Sequence, residues 1–483
     1  MDNKKLAELL YPNITKTIEY YENEAYPKRK LPEGAKVTRL APSPTGFIHL
    51  GNLYGAFVDE RLAHQSGGVF LLRIEDTDEK RKVEGSVETI ITSLEYFGLK
   101  FDEGAGIEGE TGDYGPYFQS NRAEIYQCCA KYLVEIGRAY PCFCSEEELE
   151  ELRKAQADEN VNTGYYGKWA RDRNLSLEEV KEHLNNNEEF VIRFRSEGTE
   201  EGTFEIYDAI RGRLSNPENY QDIVMLKTNG IPTYHFAHVV DDHLMGITHV
   251  VRGEEWLSTL PVHYEIFKAI GWETPVYCHT AHLMKMDNGT KRKLSKRKDP
   301  ELGLGYYREQ GYHPKAVREY LLTILNSNFE EWRMENPDSP IDDFQFTLAK
   351  MSNSGALFDL DKLNNICKDV LLKIPAAEIY EFLLSWANEY KKEAFELLKS
   401  NKDEVIKLLS VGRDGNNPRK DLMYCEQIFD FISYYFDEYF KIVDNYPENI
   451  KNKVKDEPQP DLLTADNRSL TVLLGSDNKV SVI

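Results

Sequence analysis

Between Val37 and Gly98 strand and helix signals alternate, and that order leaves few folds open. Val37-Thr38-Arg39-Leu40-Ala41 reads as a short strand, broken by Pro42-Ser43-Pro44-Thr45-Gly46. A helix is predicted from about Gly51 to Gln65, closed by Gly67-Gly68. Val69-Phe70-Leu71-Leu72-Arg73-Ile74 is a compact apolar run suited to a strand buried on both faces. Val87, Ile90, Ile91 and Leu94 then fall at i, i+3, i+4 and i+7, a helix stopped by Gly98. Strand, helix, strand, helix is the start of a parallel α/β sheet.

The α/β signal pauses and then resumes. Ser120 is a candidate N-cap for a helix bearing Ile125, Cys128, Cys129, Tyr132, Leu133 and Ile136, and Phe190–Phe194 alternates like a half-buried strand. Strand signals return at Ile247–Val251 and Val276-Tyr277, on either side of a helix predicted from about Ser258 to Ile270 and ended by Gly271. After Pro300 the chain turns helical, with Ile379, Phe382, Leu383, Trp386, Ala387 and Tyr390 on one apolar face. Past Pro458 it is short, polar and weakly strand-like. The expected parts are an extension (1–35), two halves of an α/β domain (36–116 and 230–300) around an insertion (117–229), a linking region (301–350), a helical region (351–457) and an irregular tail (458–483). A length of 483 residues holds several domains of ~100–200 each.

Apolar content of 41% and charged content of 29% fit a globular protein. No apolar run is long enough for a membrane span, and Met1–Asn13 lacks the apolar core of a signal peptide. The seven scattered cysteines read as reduced thiols of a cytoplasmic protein. A net charge of −23 argues against a nucleic-acid partner only at the level of the whole chain, because binding depends on local charge. Lys291–Lys298 places six basic residues in eight. Such a run in an acidic chain needs an anionic partner or a wholly solvated loop.

Two segments carry chemistry. Ser43–Asn52 runs from a strand end through a Pro/Gly loop into a helix start, which presents backbone N–H groups to an anion. His49 adds a donor for phosphate, and Gly51 allows a nucleotide close to the backbone. No GxxxxGK[ST] loop is present in this segment. By itself the segment fits a structural turn with a surface histidine equally well. Lys293-Leu294-Ser295-Lys296-Arg297 offers lysines able to stabilise a leaving pyrophosphate. Alone, it reads first as a solvated charge run.

Taken together, His49-Leu50-Gly51-Asn52 after a first strand and Lys293–Arg297 after the last strand of the same sheet resemble the two signatures of class I aminoacyl-tRNA synthetases. Asn52 stands for the final His of the first motif, Leu294 and Arg297 for Met and Ser of the second, and Lys296 stands at its key lysine. Longer strings narrow the resemblance to bacterial-type glutamyl-tRNA synthetases: Arg39–Gly46, Arg73–Asp78, Val239–Asp242, Arg252–Trp256 and Lys293–Lys298, across most of residues 36–440. The resemblance implies a Rossmann-type α/β catalytic domain with a parallel sheet, an inserted α/β domain for the tRNA acceptor end and an all-helical anticodon-binding region.

It also implies roles. His49 and Lys296 are the implied catalytic residues, and ATP is expected to meet His49, Gly51, Asn52, Glu255, Leu283, Lys293, Ser295, Lys296 and Arg297. L-Glutamate is expected to meet Arg39, Ala41, Ser43, Glu75, Tyr234, His238 and Arg252. Guanidinium forks suit its carboxylates, and Glu75 suits its ammonium. His238 stands where family members often carry Asn, so a structural histidine fits there too. ATP brings Mg2+, held largely by its phosphates. Arg413, Arg419 and Lys420 are candidate tRNA contacts. Cys142-Phe143-Cys144 invites zinc, but Tyr165–Asp172 supplies no Cys or His, and two thiolates do not make a four-coordinate site, so no metal is expected there.

A monomer is expected, with no membrane partner. Two features depart from the family: a longer segment before Val37, and a tail after Pro458 that implies a reduced or altered distal anticodon-binding part. Three rivals are a tRNA-base-modifying paralog, a non-catalytic tRNA-binding paralog and a small-molecule nucleotidyltransferase. The first and third would not need the helical region, and the second should have lost one signature. Whether tRNA(Gln) is charged besides tRNA(Glu) stays open at this point.

Overall fold

A computed structural model describes residues 2–45, 48–78, 83–295, 297–413, 415–436, 439, 472–474 and 480–482. By internal contacts the chain divides into residues 1–307 with 314–363, and residues 308–313 with 364–483.

In the first unit, β1 (Val37–Leu40) and β2 (Val69–Leu72) pair in parallel from Val37↔Val69 to Leu40↔Leu72. Strand β3 (Glu103–Ala105) continues beside β2, and β4 (Glu110–Thr111) turns back antiparallel on β3. The crossover from β1 to β2 is the helix Leu50–Gln65, buried nearly all round, including Leu53, Ala56, Phe57 and Ala63. A helix covered on both sides carries no one-sided apolar stripe.

The next stretch folds partly as expected. The helix Ala123–Glu135 starts three residues beyond Ser120, after a 3₁₀ turn Gln119–Arg122. Ser120 is therefore not its N-cap; the Ser120 hydroxyl donates to Asp76 Oδ2 at 2.7 Å. Strands β5 (Ala139–Cys142) and β6 (Val191–Phe194) pair antiparallel. A hairpin follows, β7 (Thr203–Asp208) and β8 (Gly212–Pro217), and β9 (Val224–Leu226) returns to β6.

Strands β10 (His249–Gly253) and β11 (Val276–Thr280) run parallel in register His249↔Val276 through Gly253↔Thr280. The helix Leu260–Ile270 connects them and ends on Gly271 at φ 88°. Thr248 N donates to Val37 O at 2.9 Å, which sets β10 beside β1. The parallel strands thus lie in the order β3-β2-β1-β10-β11. The order reverses between β1 and β10, and the crevice beyond their carboxyl ends is where α/β sheets take ligands. Tyr277 of β11 also pairs with Asp208, so the β7–β8 hairpin joins this sheet although it lies within the stretch read from sequence as an insertion.

The first 35 residues are not simply a polar extension. The helix Asn3–Leu10, capped by Asp2, buries Leu6 and Ala7, which join Ile125, Cys128, Cys129, Leu133 and Val240 in one core cluster. Tyr21 and Tyr26 join the same cluster. Glu22 Oε1 accepts from Trp272 Nε1 at 2.7 Å, tying the segment to the helix–strand connection before β11.

The second unit is helical over most of its described residues: Ala376–Tyr390, Lys392–Ser400, Lys402–Ser410 and Cys425–Ser433. Ile379, Leu383, Trp386 and Ala387 are buried as the apolar face requires, whereas Tyr390 is exposed. Two short strands, Val472–Leu474 and Val480–Val482, pair antiparallel in the region read as an irregular tail.

Candidate active site

His49 is the N-cap of the helix Leu50–Gln65. Its N–H donates to Asn52 Oδ1 at 3.0 Å, and Asn52 N donates to His49 Nδ1 at 3.3 Å. Reciprocal bonds of this kind satisfy helix-end donors and fix the histidine ring. With Nδ1 accepting, the proton of a neutral ring sits on Nε2, the atom able to donate to a phosphate oxygen. Asn52 holds His49 through this cap. A Cβ at Gly51 would stand 2.9 Å from the His49 ring, so the bare glycine serves the histidine as well as any incoming nucleotide.

The basic loop leaves a hairpin of β12 (Leu283–Asp287) and β13 (Thr290–Lys293), turned by Asn288 and Gly289 at φ 49° and 81°. The loop is not merely solvated. Arg292 donates to both Asp299 oxygens at 2.6 and 2.8 Å, and Ser295 N donates to Asp299 Oδ2 at 2.9 Å. The Arg292 bonds hold the Asp299 carboxyl well below the usual range. Leu294 is buried, and its N–H donates to the carbonyl of buried Leu283 at 3.2 Å. Lys293 Nζ lies 3.0 Å from His282 Nε2, and Glu255 Oε2 lies 3.4 Å from His282 Nδ1. One imidazole therefore stands between Glu255 and Lys293. Arg297 and Lys298 are exposed, and Lys296 lies outside the described residues. Beyond the loop, Gly303 bridges to His49 and Leu304 N donates to Ile48 O at 3.3 Å. The two signature segments are tied together there.

Around the sheet crevice the structure gathers a buried ion network. Arg39 of β1 donates through Nε to Asp242 at 3.1 Å, and Arg73 Nη1 donates to the same carboxylate at 2.7 Å. Behind them Asp241 accepts from Arg122 Nε at 2.7 Å, Gln119 Nε2 at 2.8 Å and Tyr126 Oη at 2.8 Å. Burial pushes the Asp242 carboxyl up, but the Arg39 and Arg73 charges outweigh it and hold the carboxyl below its ordinary value. Glu75 sits 3.4 Å from Arg73 Nη2, and burial raises its carboxyl despite Arg73. Ala41 and Ser43 follow β1; Ala41 is half-buried and Ser43 is exposed. His238 is fully buried: Nδ1 faces Asp242 at 3.2 Å and Arg39 at 3.4 Å, and Nε2 faces the Tyr277 hydroxyl at 3.3 Å. Burial drives its pKa well down, so the ring is neutral and buttresses Arg39.

Arg252 of β10 behaves differently. Its Nε donates to His279 Nε2 at 2.9 Å, Nη1 faces His263 Nδ1 at 3.2 Å, and the buried Nη2 has no hydrogen-bond partner. Tyr234, first residue of the helix Tyr234–Leu244, packs its ring 4.7 Å from Trp256, and burial raises its phenol although the Arg252 charge pulls it down. The Val239–Asp242 string marked the two aspartates, but Arg122, His263 and His279 escaped notice. They meet the site only through long-range contacts and carry no local signature.

The candidate tRNA contacts divide. Arg413 turns inward: its Nη2 donates to the carbonyls of Leu371, Leu372 and Ile374, the last two at 3.1 and 2.8 Å. Leu371 and Leu372 close the helix Leu360–Leu372 and Ile374 lies just beyond it, so Arg413 caps that helix end rather than facing a phosphate. Arg413→Ala is expected to lower the stability of this unit by about 1–3 kcal/mol, read as a shift in its denaturant midpoint, with tRNA affinity unchanged. Arg419 pairs with Asp421 at 2.8 Å, and Lys420, largely exposed, pairs with Asp369 at 2.9 Å.

The cysteine pair has company that spacing did not reveal. Cys142 Sγ, Cys144 Sγ and an Asp172 oxygen lie within 4.8 Å of one another. That is three donors where structural zinc takes four. The Tyr165 hydroxyl lies 3.5 and 3.4 Å from the two sulfurs, and Arg171 donates to Cys144 at 3.6 Å. All seven cysteines are free thiols.

Residues 36–365 match the family described as class I tRNA synthetases (E and Q), catalytic domain. A glutamate–tRNA ligase of Acetivibrio thermocellus is 77% identical over 450 residues, covering 93% of this chain and 82% of that protein. One from Clostridium perfringens strain 13 is 51% identical over 441 residues, covering 91% and 81%. The crystal structure of a glutamate tRNA ligase from Elizabethkingia meningosepticum, in complex with its amino acid, superposes with TM-score 0.69 at 29% identity, covering 87% of this chain and 83% of that one.

Proposed function

The chain belongs to the class I tRNA synthetases of the glutamate and glutamine branch, and on that premise we propose that it joins L-glutamate to the 3′ end of tRNA(Glu), with the crevice between β1 and β10 as its active site. The observation that carries the assignment of the site is the pairing of two buried guanidiniums, Arg39 and Arg252, on neighbouring strands at this crevice, with Arg252 Nη2 unpartnered. An amino acid with two carboxylates is the ligand such a pocket suits.

The reaction has two steps. The glutamate α-carboxylate attacks the α-phosphorus of ATP, the bond to the β-phosphate bridge breaks, and pyrophosphate leaves. The terminal adenosine hydroxyl of tRNA then attacks the acyl carbon and AMP leaves. No protein nucleophile is required. His49 and Lys296 act on phosphate charge, while Arg39, Glu75, Arg252, Ser43 and Tyr234 orient the amino acid. Glu255 and Lys293, on either side of His282, and Leu283, which pairs with Leu294 of the basic loop, would meet the nucleotide, and Ser295 and Arg297 flank Lys296. Mg2+ fits as an ion carried in by the ATP phosphates, whose charge it reduces.

Within residues 117–229, the β5-β6-β9 sheet with its helices takes the acceptor end, and the helical region takes the anticodon, where Arg419 and Lys420 are the remaining candidate contacts. No helix among the described residues is long and apolar enough to cross a membrane. The expected cytoplasmic location rests on the reduced cysteines, and the monomeric state is an expectation.

A charging assay with labelled glutamate and separate tRNA(Glu) and tRNA(Gln) tests the reading. Acceptance by tRNA(Glu) is expected, and acceptance by tRNA(Gln) as well would mark a non-discriminating form. Failure of both to accept glutamate would sink it.

A further inference from the structure

Every buried arginine near the crevice except one has a carboxylate against it. Arg39 and Arg73 share Asp242, and Arg122 is held by Asp241. Arg252 alone is held by two imidazoles, and among the described residues no carboxylate stands at ion-pair distance from it.

The protonation of those rings follows from their partners. Arginine only donates, so His279 Nε2 and His263 Nδ1 must accept. The other nitrogen of each ring then carries the proton. His279 Nδ1 gives it to Asp208 Oδ2 at 2.7 Å, and His263 Nε2 gives it to His235 Nδ1 at 3.0 Å. Asp208 is itself fixed, accepting from the backbone of Ile210 at 2.9 Å, Arg211 at 2.8 Å and His279 at 3.0 Å. His263 is stacked on His238 with ring centres 4.2 Å apart. Both rings are fully buried, and burial keeps both pKa values below the ordinary histidine range, consistent with neutral rings.

This arrangement aims a cation without cancelling it. A carboxylate in place of either imidazole would fix the guanidinium equally well but would neutralise it before substrate arrives. Two neutral acceptors leave the full charge in a buried crevice, where it is worth more than in water. We propose that His263 and His279 are positioning residues that hold Arg252 un-neutralised, and that this pair, seated on Asp208 and His235, sets the preference for a carboxylate over a carboxamide, glutamate over glutamine. The inference rests on the reading that Arg252 takes the side-chain carboxylate of the substrate, the group that glutamine lacks.

The experiment compares charging kinetics of the full-length protein on tRNA(Glu), with glutamate and with glutamine, for His279→Leu, His279→Gln, His263→Leu and Arg252→Gln. His279→Leu removes an acceptor from a buried charged donor. It should raise KM for glutamate about 10- to 100-fold, leave KM for ATP and kcat within about threefold, and lower the glutamate-over-glutamine ratio of kcat/KM about tenfold or more. His279→Gln keeps a neutral acceptor and a donor for Asp208 and should recover most of the loss. His263→Leu should reproduce the pattern more weakly, and it carries the test if His279→Leu does not fold. The proposal is overturned if folded leucine variants leave the glutamate KM and the discrimination ratio unchanged, or if Gln and Leu at 279 lose kcat equally. If Arg252→Gln leaves the glutamate KM unchanged, the reading of Arg252 itself fails. If Arg252→Gln raises that KM while both leucine variants do not, only the role of the histidines falls.

Discussion

Asp242→Asn is expected to lower the stability of the catalytic unit by about 3–5 kcal/mol and to weaken glutamate binding with it. The carboxylate is completely buried and neutralises two guanidiniums from different strands, Arg39 and Arg73, while also meeting His238. An asparagine of nearly the same shape leaves Arg39 buried without its carboxylate and Arg73 with only the longer contacts to Glu75 at 3.4 Å and Asp241 at 3.8 Å, so the loss is mainly desolvation of Arg39. The measurement is the denaturant midpoint with the glutamate KM beside it; a shift below about 1 kcal/mol would show that the network carries little energy. The pH dependence has a definite sign. The Asp242 carboxyl is held below its ordinary value in the fold, so its contribution is complete at neutral pH and is lost as pH falls through and below the carboxylate range. The asparagine variant should lack that part of the acid-side loss.

Lys296→Ala should reduce adenylate formation about 10²- to 10³-fold while leaving tRNA affinity within a few-fold, because a cation that meets charge developing on pyrophosphate acts on the first step alone. The fixed surroundings of the loop sharpen this. Leu294 is buried, Ser295 N bonds Asp299, and Arg292 is committed to Asp299 and Asp287, so nearby lysines and arginines are not interchangeable with Lys296. Pyrophosphate exchange with tRNA present reads the first quantity and filter binding the second. Equal losses in both would argue against the assigned role.

Much of the catalytic unit was legible because its signals are local. The β1–helix–β2 start, the helix closed by Gly271 and the position of His49 at a helix N-terminus follow from periodicity, capping and turn residues within a few positions of one another. Less legible were elements whose meaning depends on distant partners. The helix Asn3–Leu10 carries Leu6, Leu9 and Leu10 on one face, but only the Ala123–Glu135 helix makes that face a core. Arg413 looked like a phosphate contact in its loop, and only the carbonyls at the end of another helix reveal it as a cap.

The sequence by itself determined the class of chemistry, because strand–loop–helix geometry and a dense basic run are short-range features written in consecutive residues. Tertiary structure alone decided which buried guanidiniums are paired with a carboxylate and which are not. Arg39 and Arg252 look alike in sequence, but one meets Asp242 and the other meets His263 and His279. That difference arises only when β1, β7, β10, β11 and two helices converge, since Coulomb energy depends on distance in space and on burial, neither of which is encoded at a single position.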